Sequence, residues 1–584
     1  MSDQSYDAVL ARGRLARLRS RATALLPAGE LRAPVALGLA AAILAALFRY
    51  IWTSEGELAN ITFTAGIVVA LAAVTALVSR RILFSVALTA SLTALIVVAA
   101  TIKRQTMNMV VHAYDLFFYF SSWSTISFLW DDHRRYLIGL AAALLAMAVG
   151  GWLIFRLDGT RVSRPVALGA LLISASVGWA GAAYKGERRH MQFYFENLYI
   201  SSFFASWGET LETLWNGTML EAGPRGGPQA AFRLPADCKT TEKPPHIILI
   251  HQESIVPPGH FPTLSYDRSV DPMFRSQDGL TRKLRVETYG GASWLTEFSI
   301  LAGVSTESFG GMRQFVQTFL QNKLKDTLPQ SLEQCGYRNV VFYPMLKNFV
   351  SNDKFYNSVG LREIFDLKAQ GAKVVNERDS FYYTNALNEM ERHIAASPKP
   401  LFTYVQTMSA HWPYDVPFHP ELAVAGGGPG THPEMHEYLR RVSMVKQDYD
   451  FLIAEIKKRF KDERVLIVHY GDHQPTATRM LLGYGENTEA EDVTLGANSP
   501  GFLTYFAVDG INYQVPRLPT YDAVDIPYLG MIIQDAAGLP LSDANKERKR
   551  LMALCQGRYN SCAKRDEILS FHRRLIDAGI IVAR

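Results

Sequence analysis

Residues 246–254 read HIILIHQES, a short apolar run of strand length that ends in a carboxylate, Glu253. Residues 465–475 repeat the arrangement as VLIVHYGDHQP, with Asp472 and His473 soon after the apolar run. Such runs are typical of buried strands in a parallel α/β sheet, whose ligands bind beyond the carboxyl ends of the strands. The two runs therefore predict the fold class of this half of the chain and the place of its functional site.

Strands and helices alternate around these two runs. The apolar pattern predicts strands at His246–His251, Val340–Tyr343, Leu401–Thr407, Arg464–His469 and Phe502–Val508. Helices are predicted at Trp294–Leu301, Thr327–Gln334, Ser380–Ala395 and Met435–Phe460. This alternation indicates a mainly parallel α/β sheet.

The N-terminal part of the chain is predicted to be a membrane sector of five helices, each long enough to span hydrocarbon. The spans are Ala33–Phe48 with its continuation to Trp52, Ile61–Ser79, Ile82–Ile102, Tyr136–Phe155 and Pro165–Tyr184. Arginines gather before the first span, between the second and third, and between the fourth and fifth. With five spans these groups share one side, which the positive-inside rule makes cytoplasmic. The C-terminal half is therefore expected outside the cytoplasm.

One more apolar segment, Met107–Trp130, leaves an alternative open. It carries Asp115 and His112 among many aromatic residues, which suits a helix lying at the outer interface. A sixth span is the alternative, but it would place the basic loop 156–164 outside the cytoplasm. We therefore expect the interfacial position.

The chain divides into four predicted parts. These are a basic cytoplasmic leader (1–32), a five-helix transmembrane domain (33–185), a juxtamembrane amphipathic helix with its linker (186–244), and an extracytoplasmic catalytic domain (245–584). All four cysteines lie beyond residue 237, which fits two disulfides in an oxidising compartment. The most local pairing joins Cys555 to Cys562 and leaves Cys238 with Cys335, although the sequence does not fix the connectivity.

The formal net charge of +5 does not indicate nucleic-acid binding. Residues 1–190 hold 19 Lys and Arg against 10 Asp and Glu, whereas the remainder holds 41 against 45. The positive charge thus belongs to the membrane sector. The catalytic half shows no basic stripe of the kind that neutralises a phosphate backbone, so no nucleic-acid partner is expected.

Two further segments offer side chains for chemistry. In Tyr289-Gly-Gly-Ala-Ser293-Trp-Leu-Thr296-Glu297, Ser293 stands at a predicted helix start, where backbone N–H groups hold a phosphate and a bound metal favours the alkoxide. The alternative for Ser293 is a simple N-cap. His411, in TMSAHWPYD, follows another predicted strand and is placed to stabilise a phosphate oxygen or to give a proton to a leaving alcohol. Its alternative is a hydrogen-bonded loop histidine.

Together these motifs resemble a known family. His251-Gln-Glu253-Ser, Gly-Gly-Ala-Ser293 before Glu297-Phe298, Thr407-Met-Ser-Ala-His411-Trp-Pro-Tyr and Gly471-Asp472-His473 follow five spans in the order seen in that family. They look like the lipoteichoic acid synthase and phosphoglycerol transferase branch of the alkaline phosphatase/sulfatase superfamily. The resemblance covers nearly the whole chain and implies an alkaline phosphatase-like domain anchored to a bacterial inner membrane.

The resemblance also implies one divalent metal, with manganese expected first and zinc or magnesium as alternatives. Its ligands would be Glu253, Asp472, His473 and the oxygen of the nucleophile. The nucleophile position, threonine in lipoteichoic acid synthases, falls on Ser293, with Thr296 as the alternative. His411 would lie at the phosphate.

Two departures from the family pattern bear on the substrate. A stretch that supplies a Trp and an Arg to the glycerol phosphate site has Val350 and Asn352 at those positions. Lys354 then supplies the positive charge, and Asn352 and Trp412 are also expected to bind substrate. Sulfate ester hydrolysis is not expected, because the residues after Ser293 lack the Pro and Arg that sulfatases require.

We therefore expect transfer of a phosphorylated headgroup, phosphoglycerol first, from a membrane phospholipid to a periplasmic glycan or another envelope hydroxyl, through phospho-Ser293. A phosphoethanolamine transferase is a second candidate that the missing Trp and Arg favour slightly. A membrane-anchored phosphodiesterase or phosphatase is a third candidate, and a non-enzymatic membrane sensor is a fourth. The oligomeric state is not predicted.

Overall fold

A computed structural model describes residues 33–107, 110–118, 123–184, 198–216, 219–224, 231–233, 238, 240, 242–349, 352–429, 431–485, 488, 493, 495–496 and 498–582. The predicted leader 1–32, the linker residues 225–230 and Val350 lie outside these ranges. Two compact units make up the chain. The membrane unit is Met1–Val111, Arg135–Arg188 and Asn197–Phe204, and the sheet unit is His112–Arg134, Arg189–Glu196 and Ala205–Arg584.

Five helices in the described part of the chain are long and apolar enough to cross a membrane, which confirms the predicted number of spans. The helices in this half are α1 Ala33–Ser54, α2 Leu58–Ser79, α3 Ile82–Met107, α4 Ala113–Phe118, α5 Trp123–Leu157, α6 Arg164–Tyr184 and α7 Tyr199–Asn216. Helices α2 and α6 approach closely, since a Cβ added to Gly66 would lie 2.4 Å from the backbone nitrogen of Gly178. Small residues at such contacts are typical of membrane helices.

The segment Met107–Trp130 is divided between α4 and the first turns of α5, and no candidate span falls within its described residues. Residues 108–109 and 119–122 of this segment lie outside the described residues. Helix α5 begins at Trp123, well before the predicted start at Tyr136. The difference arises because charged residues end an apolar run without ending a helix.

Residues 186–197 of the predicted juxtamembrane segment 186–244 lie outside the described residues, and the helix found in this segment is α7. Within the membrane unit its first turn is held by a buried carboxylate. Glu55 accepts hydrogen bonds from the backbone N–H groups of Ile200, at 3.1 Å, and of Ser201. A carboxylate at this end of a helix binds the otherwise unpaired N–H groups and complements the helix dipole.

The sheet unit is built on an eight-stranded sheet in the order β4-β3-β5-β1-β6-β7-β2-β8. The strands are β1 His246–Gln252, β2 Arg282–Arg285, β3 Arg338–Phe342, β4 Glu363–Phe365, β5 Leu401–Gln406, β6 Val465–Gly471, β7 Leu503–Ile511 and β8 Val524–Asp525. All five predicted strands are present. The prediction missed β2, β4 and β8, because they are short or charged and lie near the sheet edges. Strand β7 runs antiparallel to both neighbours, so the sheet is mixed.

Helices flank the sheet at the predicted places and at some others. The α-helices of the sheet unit beyond residue 245 are α8 Ser293–Ala302, α9 Val316–Phe319, α10 Leu328–Gln334, α11 Asn352–Val359, α12 Asp379–Ala396, α13 Pro433–Arg459, α14 Leu529–Ala536, α15 Asp543–Leu554 and α16 Arg565–Asp577. A 3₁₀ segment, Thr306–Phe315, follows α8. The four predicted helices correspond to α8, α10, α12 and α13, with ends shifted by one or two residues.

Strand β1 lies between β5 and β6 and is buried along its whole length. His251 pairs with Gln406 of β5 on one side and with Tyr470 of β6 on the other. Gln252 pairs with Gly471. Because these parallel strands end in register, the residues that follow them emerge side by side at the carboxyl edge of the sheet.

The structure contains both disulfides of the most local pairing, Cys238–Cys335 and Cys555–Cys562. The first joins the linker to the residue that follows α10, and the second closes a loop between α15 and α16. No cysteine is left unpaired in the sequence, because these bonds use all four.

Gly471 is required by the close approach of two chain segments at the end of β6. A Cβ at this position would lie 1.8 Å from the carbonyl oxygen of Ile255. We expect Gly471→Ala to lower the free energy of unfolding by about 3 kcal/mol, because backbone atoms cannot move aside as a side chain can. Thermal unfolding of the detergent-solubilised chain measures this. Gly485→Ala is the control, since its Cβ would meet only the Thr488 hydroxyl, at 3.5 Å; equal losses in the two variants would contradict the prediction.

Candidate active site

Four of the predicted site residues lie together at the carboxyl edge of the sheet. Ser293 Oγ donates a hydrogen bond to Glu253 Oε2 at 3.0 Å and lies 3.4 Å from His473 Nε2. His473 Nε2 is 3.2 Å from Glu253 Oε1 and 3.3 Å from Asp472 Oδ2. Asp472 and His473 follow β6 and Glu253 follows β1, so neighbouring strands bring these side chains together.

His251 joins this cluster, although sequence reasoning gave it no role. Its Nε2 lies 3.1 Å from Asp472 Oδ2, and possible ligand atoms of His251, Glu253 and Asp472 all lie within 4.8 Å of one another. Its Nδ1 contacts the phenol oxygens of Tyr404 at 3.1 Å and Tyr470 at 2.9 Å. Strand periodicity is the signal that finds this residue, because residues two apart on a strand share a face.

The cluster fits a divalent metal ion. His251 Nε2 and Asp472 Oδ2 are both buried, and neither forms a hydrogen bond with the described part of the chain despite their short separation. Buried polar atoms are seldom left without a partner. Imidazole nitrogen with carboxylate and hydroxyl oxygens is a donor set that zinc or manganese accepts.

Burial and charge act against each other in this cluster. Burial lowers the pKa of His473, but Asp472 and Glu253 outweigh it and raise the pKa to about 9. Burial raises the pKa of Glu253, but His473 and, more weakly, His411 bring it well below its usual range. Burial also lowers the pKa of His251, and Asp472 more than offsets this. The carboxylates thus favour the protonated form of both imidazoles, and a metal cation at the same place would take over that role.

Ser293 is the first residue of α8 and remains half-buried. The residues before it turn the chain sharply: Ala292 has φ 62°, in the left-handed region that rarely holds a non-glycine residue, and Gly290 has φ 70°. Ala292 occupies the N-cap position, and no side chain caps this helix. The N-cap alternative for Ser293 is therefore wrong, because its hydroxyl donates to Glu253 and does not cap α8.

Thr296, the alternative nucleophile, lies one turn further along α8. It is fully buried, and its hydroxyl donates to the carbonyl oxygen of Asp472 at 2.7 Å. The bond ties α8 to the loop that carries Asp472 and His473. The geometry favours Ser293 as the nucleophile, which stays a prediction.

His411 lies in a loop that a buried arginine fixes. Arg441, on α13, donates to the carbonyl oxygens of His411, Pro413 and Val416, the last two at 2.6 and 2.9 Å. His411 Nδ1 lies 2.6 Å from the carbonyl oxygen of Trp412. The His411 ring is part-exposed and lies near enough to Glu253 to contribute to the lowered pKa of that carboxyl. A role at the phosphate stays a prediction.

The remaining predicted substrate residues differ in accessibility. Asn352, at the start of α11, is buried and donates from Nδ2 to the Tyr343 hydroxyl at 2.8 Å. Lys354 on the same helix is half-buried, and Trp412 is 60% exposed. Lys354 and Trp412 are thus the more accessible of the three, and the contribution of each to substrate binding stays a prediction.

Comparison with known proteins gives one family match. Residues 245–496, less than half of the chain, match the family model described as Sulfatase. An uncharacterised protein of Haemophilus influenzae is 24% identical over 335 residues, which are 54% of this chain and 57% of that protein. The chain therefore matches little more than half the length of this relative.

Two solved structures are similar to this chain at low identity. The phosphoglycerol transferase GacH of Streptococcus pyogenes, in complex with sn-glycerol-1-phosphate, is 17% identical with a TM-score of 0.45, over 60% of this chain and 89% of that one. The integral membrane lipooligosaccharide phosphoethanolamine transferase A (EptA) of Neisseria meningitidis is 12% identical with a TM-score of 0.46, over 86% and 96% of the two chains.

Asp379 fixes the turn that leads to His411. Its Oδ1 accepts hydrogen bonds from the backbone N–H groups of Met408 and Ser409, at 3.3 and 3.0 Å. Burial, and then the nearby charge of Asp448, raise the pKa of Asp379 to about 7. The folded state therefore binds this proton more tightly than the unfolded state, whose carboxyl has a pKa near ~4. This group makes stability fall as pH rises from about 4 to 7.

Asp379→Asn should remove this pH dependence, because Asn keeps the accepting oxygen and does not ionise. We expect the variant to gain in melting temperature relative to the parent as pH rises from about 5 to about 8. Thermal unfolding of both full-length proteins in detergent across this range measures the difference. A difference that does not change with pH would contradict the prediction.

Proposed function

We propose that the chain is a metal-dependent transferase that moves a phosphorylated headgroup from a membrane phospholipid to a hydroxyl of a periplasmic glycan or another envelope molecule. The observation that carries this proposal is the position of Ser293. Its hydroxyl lies on the first turn of a helix, 3.0 Å from a carboxylate of a buried cluster of metal-ligand type. That arrangement suits an activated nucleophile at a phosphoryl group.

Glu253, Asp472, His473 and Ser293 would hold the metal, with His251 within reach of the same position. A bound divalent cation favours the alkoxide of Ser293 and offsets charge on the phosphoryl oxygens. Glu253 orients the Ser293 hydroxyl through their hydrogen bond. Manganese is the ion we expect first, with zinc or magnesium as alternatives.

The Ser293 hydroxyl first gives its proton to solvent water, and Ser293 Oγ then attacks the phosphorus of the donor phospholipid while the bond from phosphorus to the diacylglycerol oxygen breaks. The departing oxygen receives a proton from His411, which leaves diacylglycerol and phospho-Ser293. The acceptor hydroxyl then attacks the phosphorus, its proton passes to His411, the bond from phosphorus to Ser293 Oγ breaks, and Ser293 Oγ takes a proton from solvent water to regain its hydroxyl. Arg441 and Asp379 hold the loop so that the histidine serves both steps.

A lipid donor accounts for the attachment of this domain to five candidate spans. We propose that the spans lie in a bacterial inner membrane with the sheet unit outside the cytoplasm, as the arginine distribution favours. Sulfate ester hydrolysis is not proposed, because the Pro and Arg that follow the nucleophile of sulfatases are missing after Ser293.

The headgroup is phosphoglycerol in our first proposal and phosphoethanolamine in the second. One observation favours the second: Asn352 stands where the family places an arginine, and its amide is turned to Tyr343. Loss of a guanidinium weakens recognition of a phosphate by paired hydrogen bonds. The names of the two transferases, GacH and EptA, give different headgroups, and both proteins have similarly low sequence identity to this chain.

Ser293→Ala should abolish release of diacylglycerol, lowering the rate roughly 10³-fold or more, because the attacking oxygen is lost. The detergent-solubilised protein is mixed with headgroup-labelled phosphatidylglycerol or phosphatidylethanolamine. Diacylglycerol is followed over time, and mass spectrometry identifies any phosphorylated residue. The lipid that is consumed identifies the headgroup.

Thr296→Val is the matched control for Ser293→Ala, since it removes a hydroxyl from the same helix and keeps the side-chain shape. We expect it to retain phosphorylation at Ser293. The proposed nucleophile is wrong if Ser293→Ala releases diacylglycerol at the parent rate, or if Thr296 carries the phosphate.

Asp472→Asn and Glu253→Gln should each weaken binding of Mn²⁺ by roughly 100-fold or more, because a neutral amide replaces an anionic ligand. Isothermal titration of the full-length protein with Mn²⁺ and Zn²⁺ measures affinity and stoichiometry. Glu287→Gln is the control: Glu287 is equally buried but bonds Ser299 and Thr306. Unchanged affinity in both ligand variants would contradict the assigned metal site.

A further inference from the structure

Helix α8, which begins at the proposed nucleophile Ser293, carries another buried carboxylate, Glu297, one turn further along. It is 2% exposed and accepts three hydrogen bonds. Tyr356 donates its hydroxyl to Oε1 at 2.6 Å, Gln406 donates Nε2 to the same oxygen, and Gln317 donates Nε2 to Oε2 at 2.8 Å. These donors are themselves buried, so the arrangement is closed to solvent.

The three donors come from three different parts of the sheet unit. Tyr356 lies on α11, the helix that carries Asn352 and Lys354. Gln406 ends β5, five residues before His411. Gln317 lies on α9 and also donates to the carbonyl oxygen of Trp294, next to Ser293, at 3.2 Å. Glu297 therefore bonds to the helix that carries Asn352 and Lys354 and to the strand that leads to His411.

Cross-links among the donors make the arrangement a network. Gln406 Nε2 also lies 2.8 Å from the Tyr356 hydroxyl, and the rings of Tyr356 and Tyr343 meet edge to face with centroids 5.6 Å apart. The Tyr343 hydroxyl accepts the hydrogen bond from Asn352. A shift of any one segment would therefore disturb the others.

A carboxylate is a costly choice for stability alone. All three donors are neutral, and a buried acid bonded only to neutral groups is unfavourable compared with an amide or an apolar side chain of the same size. A carboxylate is, however, the side chain that accepts at both oxygens and donates at neither. Three donors that converge from separate segments require such an acceptor.

We propose that Glu297 is a positioning residue, whose carboxylate holds the nucleophile helix α8, the substrate helix α11 and the end of β5 in one fixed arrangement for phosphoryl transfer. The inference rests on the proposed function for its catalytic consequence, but its structural claim stands on the network itself. Glu297 acts through Ser293, Lys354 and His411 and does not contact the substrate.

Glu297→Gln is the main test, because it keeps the shape and turns one accepting oxygen into a donor that opposes a donor of the network. Hydrogen–deuterium exchange of the full-length protein in detergent, with Mn²⁺ bound, measures how firmly these segments are held and does not depend on catalysis. We expect faster exchange in residues 289–299, 352–360 and 401–412 together. Glu287→Gln is the matched control, since Glu287 ties Ser299 to Thr306, and its effect should be confined to residues near 286–309.

The kinetic arm uses diacylglycerol release from the lipid that the parent protein consumes. Glu297→Gln should lower kcat roughly 10- to 100-fold with little change in KM or in Mn²⁺ affinity, because loss of positioning acts on the bound complex. Glu287→Gln should keep kcat within about twofold for the same amount of folded protein. If Glu297 only stabilised the fold, Glu297→Gln would lower the amount of folded protein and would not lower kcat of the folded protein at unchanged KM.

Tyr356→Phe is the second variant, and it tests the proposal if Glu297→Gln does not fold. It removes one donor and should lower kcat by a smaller factor in the same direction. Combined with Glu297→Gln it should add little, because both changes break one network.

The proposal is overturned if Glu297→Gln keeps the parent kcat, if Glu287→Gln loses as much kcat, or if Mn²⁺ affinity falls in parallel with kcat. It is also overturned if exchange in residues 352–360 and 401–412 does not change in Glu297→Gln. A parent protein that releases no diacylglycerol from either lipid refutes the proposed function instead. The exchange experiment then still decides whether Glu297 holds the three segments.

Discussion

The register between β1 and β6 is the constraint on which the site depends. Each of the last residues of β1 is paired with a residue of β6, so that Glu253 and Asp472 must leave the sheet as neighbours. Two buried acidic side chains this close to each other are tolerated only with cationic partners. His473 and His251 lie beside these carboxylates, where a metal cation would also fit, and Ser254 donates its backbone N–H to Asp472 Oδ1 at 2.7 Å.

Two of the strained backbone positions of the described chain lie beside this site. Ser254 has φ 58° and Ala292 φ 62°, both in the left-handed region, and Gly471 leaves room for the carbonyl oxygen of Ile255. Each of these positions is adjacent to a residue of the cluster, and the first two turn the backbone there away from regular strand or helix geometry. Such strain persists only where surrounding structure enforces it, and it is common at functional sites.

The sequence was most informative where a single local pattern determines the structure. Apolar runs identified the five candidate spans and the five longer strands, and the polar residues at two strand ends identified Glu253, Asp472 and His473. The spacing of the cysteines indicated the pairing that the structure contains. These features need only neighbours along the chain, because strand and span lengths follow from hydrophobicity.

Features that depend on distant contacts could not be read in this way. His251 stood inside a quoted motif, and strand periodicity places it on the face of Glu253, but its place in the cluster follows from contacts with Tyr404 on β5, Tyr470 on β6 and Asp472 after β6. The edge strand Glu363–Phe365 is too short to give a pattern. Arg441 lies mid-helix among other charged residues, and nothing in its local sequence separates it from a solvent-facing arginine.

The cluster and the parts that would recognise substrate are built on different supports. Glu253, Asp472 and His473 follow strands at the centre of the sheet, whose ladders fix them on both sides. Ser293, Lys354 and His411 lie on a helix start, a short helix and a loop, which ladders do not hold. Hydrogen bonds take the place of a ladder for these segments: the side chains of Thr296 and Arg441 donate them, and those of Glu297 and Asp379 accept them. Headgroup and acceptor selection would therefore change most readily through these segments, since they can shift without altering the metal ligands.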